Sequence, residues 1–99
     1  MKNEFKFKAK VWIYPGPAAW HFVTLPKGIS KEIKQIFGEL ARGWGSLPVT
    51  VTIEKASWNT SIFPDKKIGA YLLPIKSDIR KKEMILSGHT IYLKLIIKV

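Results

Sequence analysis

Residues 5–14 read Phe5-Lys6-Phe7-Lys8-Ala9-Lys10-Val11-Trp12-Ile13-Tyr14, and their pattern decides the fold. Phe5, Phe7, Ala9, Val11 and Ile13 fall on one side of an extended chain. Lys6, Lys8, Lys10, Trp12 and Tyr14 fall on the other. Strict period-two alternation of this length marks a strand with one face on a core. Pro15-Gly16-Pro17 ends it, because proline cannot continue a ladder and glycine permits the turn.

The pattern extends along the chain. Residues 20–25 are aromatic and β-branched and predict a second strand. Ser30 is suited to cap a helix over about 30–41, in which Ile29, Ile33, Ile36, Phe37 and Leu40 make one apolar stripe. Residues 48–54, 57–63 and 69–76 read as three more strands, the last demoted to an edge or a bulge by Pro74. Asp78 opens a short helix over about 78–83, and residues 89–98 make the final strand. The expected core is Phe5, Phe7, Val11, Phe22, Ile33, Phe37, Val51, Ile53, Leu93 and Leu95. Six amphipathic strands and one principal helix predict a mainly-β single domain, a closed or split barrel, since closure removes edges that would aggregate.

Composition bounds the function. The chain has 99 residues, no cysteine, and 17 Lys and Arg against 7 Asp and Glu, a net charge of +10. Disulfides, thiolate metal sites and cysteine nucleophiles are excluded. No apolar run is long enough to span a bilayer, and Met1–Lys6 has no apolar leader core. A cytoplasmic protein without membrane attachment is the expectation. The positive field attracts anions, nucleic acid above all. Fifteen of the basic residues are lysines and only Arg42 and Arg80 are arginines. Lysine is a point charge and arginine the bidentate reader of bases, so sequence-specific reading of DNA is not expected.

Several motifs together resemble the family called domain of unknown function 1905. They are Trp58-Asn59-Thr60-Ser61-Ile62-Phe63-Pro64, Gly69-Ala70-Tyr71-Leu72-Leu73-Pro74-Ile75-Lys76, Asp78-Ile79-Arg80-Lys81 and Ser87-Gly88-His89-Thr90-Ile91. The opening Phe-x-Phe-x-Ala strand, Trp20–Pro26 and the helix from Ser30 to Phe37 are similar as well. The resemblance covers essentially the whole chain. It implies a double-split β-barrel, a fold shared with AbrB-type domains, and no particular reaction, cofactor or catalytic residue. Gly88-His89 stands where the family tends to have Gly-Asp, which removes a turn-stabilising carboxylate.

Catalytic sets are poorly supplied. His21 and His89 have no metal-ligand spacing, the carboxylates form no close pair, and no glycine-rich phosphate loop opens a helix. No catalytic residue, metal or cofactor is assigned. Two binding surfaces are. Lys6, Lys8, Lys10, Trp12 and Tyr14 interleave charge with aromatic rings, the pattern that holds single-stranded nucleic acid; the plainer structural reading buries the two rings. Asn59, Ser61, Tyr71, Lys76 and Arg80 form a polar set for a small polar or anionic ligand, in a pocket between helix 30–41 and the barrel's split edge. This reading expects Ser61 opposite Tyr71 across a turn at Pro64. Its plainer alternative has these side chains satisfying backbone groups at that edge. A binding module, for nucleic acid or for a small anion, is expected ahead of an enzyme.

Overall fold

The computed structural model describes residues 2–99. Six strands close an antiparallel barrel in the order β1-β2-β5-β4-β3-β6. They are β1 (Glu4–Ile13), β2 (His21–Thr24), β3 (Leu47–Ile53), β4 (Ala56–Asp65), β5 (Ala70–Pro74) and β6 (Thr90–Ile97). Helix α1 (Lys27–Phe37) runs into a 3-10 turn at Gly38–Leu40, and α2 (Ser77–Lys82) precedes β6. No described helix is long and apolar enough to cross a membrane.

The two ten-residue strands organise the barrel. The first seven residues of β1, Glu4–Lys10, pair with β6, and Val11–Ile13 pair with β2. In the same way Ala56–Ile62 of β4 pair with β3, and Phe63–Asp65 pair with β5. Each long strand is thus shared by two half-sheets. Inward residues alternate cleanly, as in β3, where Leu47, Val49, Val51 and Ile53 are buried and Pro48, Thr50 and Thr52 are half-buried. Phe5, Phe7, Val11, Val23, Ile62, Leu73, Leu93 and Leu95 complete the interior, and Ile33 and Phe37 of α1 join the same cluster.

Several expected boundaries move. Helix α1 begins at Lys27, with Pro26 in the capping position and no side-chain cap. Ser30 lies inside the helix, only 3% exposed, where its Oγ accepts the Tyr71 N–H at 3.0 Å and ties α1 to β5. Pro64 is a strand residue opposite Tyr71 rather than a turn, and the reversal falls at Lys66–Gly69. Asp65 drives that turn, its Oδ1 accepting the N–H groups of Lys67 and Ile68 at 2.9 and 3.2 Å. Phe22 is not core. Val11 pairs with Val23, so Val23 takes the inward phase and Phe22 goes to the outer face. Ile13 is likewise 44% exposed, beyond the barrel's covered interior.

Glycine is required at Gly45, where φ is +73° and a Cβ would lie 2.9 Å from Pro64 Cγ. At the Gly88-His89 turn the imidazole supplies the missing acceptor: His89 Nδ1 receives the Leu86 N–H at 3.2 Å.

Candidate nucleic-acid interface

The outer side chains of β1 run in one row, Lys6, Lys8, Lys10 and Trp12, and Tyr14 continues it, because Tyr14 N–H donates to Trp20 O at 2.7 Å and prolongs the β1–β2 ladder. Alternate residues of a strand stand about 6.6–6.8 Å apart, so the three lysines form a regular file of positive charge. All three are exposed. Register with β6 sets Lys94 beside Lys6 and Tyr92 beside Lys8. Tyr92 is 58% exposed, so an aromatic ring stands next to the lysine file as well as at its end.

The row then enters an apolar platform. Outer side chains of β2, β5 and β4 fall into register behind Trp12: Phe22 opposite Trp12, Pro74 opposite Phe22, and Phe63 opposite Leu72. Trp20 stacks on Phe22 with ring centroids 6.2 Å apart and planes at 13°. Tyr14 meets the same ring edge-on at 6.4 Å. Tyr14, Trp20, Phe22, Phe63, Leu72 and Pro74 line a shallow depression of about 360 Å³. Exposed rings of this kind present π-faces to water, at a hydration cost that a stacked ligand would remove.

Trp12 takes the packed place that the plainer structural reading gives it. Its Nε1–H donates to Thr24 Oγ1 at 2.9 Å and its ring lies 5.3 Å from Phe22. It is half-buried and holds the platform up rather than offering a face. The rings open to a ligand are Tyr14, Trp20 and Phe63. Sequence reading missed Trp20 and Phe63 because their outward phase depends on the cross-strand register. The pairing of Lys94 and Tyr92 with β1 has no local signal in the sequence.

The polar set is not gathered into one site. Asn59 Oδ1 accepts the Thr50 hydroxyl at 2.7 Å, on the outer face shared by β3 and β4. Ser61 stands opposite Pro48 and not opposite Tyr71. Tyr71 is core, and burial pushes its phenol above the ordinary value of 10.0. Arg80 donates from Nε to Ile75 O at 3.2 Å and lies 3.4 Å from His21 Nε2, bracing α2 against β2. His21 Nδ1 faces Ala19 O at 2.8 Å, which assigns its proton to Nδ1 and leaves Nε2 as the acceptor toward Arg80. Lys76, just before α2, is exposed. Among the described residues no three His, Cys, Asp or Glu side chains gather in metal-binding positions.

The model of the family described as domain of unknown function, DUF1905, matches residues 7–95, nearly the whole chain and at least part of every strand of the barrel. A search of curated proteins finds no match.

Proposed function

Since this chain belongs to the DUF1905 family, whose description assigns no activity, we propose from its surface that the domain is a binding module for single-stranded nucleic acid, weak and indifferent to sequence. The observation that carries the reading is the continuity of the lysine file with the aromatic platform on one outer row of β1. Lys6, Lys8, Lys10 and Lys94 neutralise phosphates and release counterions. Tyr14, Trp20 and Phe63 stack on bases, whatever their identity. A duplex hides those base faces, so single strands are preferred. Arg80 is held by Ile75 and His21, which leaves Arg42 as the arginine not so engaged for bidentate base reading.

The barrel belongs to this reading as a double-split one, of the kind seen in AbrB-type domains. The division of β1 and β4 between two half-sheets supports it. The reading takes the cytoplasm as the compartment, in keeping with a chain that has no cysteine to oxidise.

Fluorescence anisotropy with a labelled deoxythymidine oligonucleotide and a duplex of equal length tests the proposal across a salt series. Single strands should bind at low salt and duplex more weakly. Removing the rings with Tyr14→Ala and Trp20→Ala should cost about 1–3 kcal/mol for each base that loses its stacking partner. No binding at low salt, or equal binding of duplex and single strand, overturns it. So does a concentration-dependent dimer that buries the platform while no oligonucleotide binds.

A further inference from the structure

A second basic feature lies on α1. Lys27, Lys31 and Lys34 recur there at four- and three-residue spacing, which puts them on one side of the helix. The turn after β4 brings Lys66 toward them. These four lysines and Tyr71 line an open cleft of about 420 Å³ between α1 and the β4–β5 hairpin. That volume lies within the range of small-ligand sites.

Like charges spaced in this way repel and weaken the helix that carries them. None of the four has an acidic partner; the ion pair seen among the described residues joins Lys2 to Glu32. The cleft's one carboxylate, Asp65, spends Oδ1 on the N–H groups of its own turn. Tyr71, which also lines the cleft, is 4% exposed. Its backbone is satisfied, N–H by Ser30 Oγ and C=O by the Leu25 N–H. Unpaired cations around an open cleft match a ligand with several anionic oxygens, which accept charge-assisted hydrogen bonds.

We propose that this cleft binds a small phosphorylated molecule carrying two or more negative charges, with Lys27, Lys31, Lys34 and Lys66 around the phosphates. The site is independent of the β1 face. A free phosphorylated metabolite and the terminal phosphate of a nucleic acid share this chemistry.

Isothermal titration with inorganic pyrophosphate at low salt tests the site. Binding should be one to one. Replacing two lysines together, Lys31→Ala with Lys34→Ala, should weaken it about tenfold or more, as expected for lost bonds between charged groups. The control pair Lys8→Ala with Lys10→Ala removes the same charge from the other face, and should change affinity by less than about twofold, since distant exposed charges are screened. Competition by a 5′-phosphorylated but not a 5′-hydroxyl oligonucleotide would assign the terminal phosphate as ligand; no competition by either assigns a free metabolite. Absence of pyrophosphate binding, or equal loss from both lysine pairs, overturns the proposal. The oligonucleotide assay on the same two pairs reads the β1 face separately, so either proposal can fail alone.

Discussion

Reversing the lysine file separates binding from folding. In the triple variant Lys6→Glu, Lys8→Glu, Lys10→Glu, the net charge falls from +10 to +4. All three side chains are exposed on the outer face of β1, so no apolar area is lost. Lys6 stands directly opposite Lys94, a like-charge pair that the reversal converts to an attractive one, worth about 0.2–1 kcal/mol. Glu4 lies two residues along the same row, and its repulsion at about 6.6–6.8 Å offsets part of that gain. Lys8 and Lys10 face Tyr92 and Thr90, which carry no charge. The net stability change should therefore stay within about 0.5 kcal/mol, as for surface substitutions generally. Binding of a single-stranded oligonucleotide should vanish. The milder triple change to alanine removes three phosphate contacts, and should lower the log-log salt slope by about 2, at about 0.7 per single-strand phosphate. Urea denaturation and anisotropy over about 50–200 mM salt read both outcomes. An unfolded triple-Glu variant would refute the placement of these side chains, and undiminished binding would refute their role.

Three further outcomes test the structure. Leu93, fully buried opposite Phe7, should cost about 2–5 kcal/mol on change to alanine in urea titrations; a loss below about 0.5 kcal/mol would put β6 in the wrong phase. Trp44 is 93% exposed and holds φ 64°, so Trp44→Asn should raise stability by about 0.5–1 kcal/mol, because asparagine enters this region at lower cost; a clear loss would mean the indole packs. Tyr71 has its folded pKa raised by burial, so its contribution is present below the unfolded value and lost as pH rises through the folded one. Tyr71→Phe should then lose less stability than wild type between about pH 8 and pH 11, and an equal decline would refute the burial of the phenol.

The barrel was legible because alternation survives in β1, β3 and β6, where inward positions are Phe, Val, Leu or Ile, with Ala9 the small exception, and outward ones mostly Lys or Thr. β2 was not, since Trp20-His21-Phe22-Val23-Thr24-Leu25 is apolar on both faces. Only its register against Val11 shows that Phe22 points outward. The same property hides the platform: an aromatic residue reads as core in sequence, and whether it is covered depends on strands distant in the chain. Ser30 misled for a related reason. A serine ahead of an apolar stripe reads as a cap, and its tie to Tyr71, 41 residues away, has no local signal. The polar set dispersed because β4 changes partner between Ile62 and Phe63, so a single hairpin drawn through Pro64 put Ser61 against the wrong strand. The lysine cleft has no signal in the sequence, because a helix that starts at Ser30 leaves Lys27 in a loop, whereas α1 begins at Lys27.

The central claim is that one outer row of the barrel holds single-stranded nucleic acid, and a titration of isotopically labelled protein with a short deoxythymidine strand at low salt, followed by amide and indole resonances, addresses it most directly. The account predicts shifts at Lys6, Lys8, Lys10, Tyr14 and Lys94 and at the Trp20 indole. The Trp58 indole, whose buried Nε1 has no partner, should stay still. Shifts confined to α1 and α2, or none at saturating strand, would contradict it.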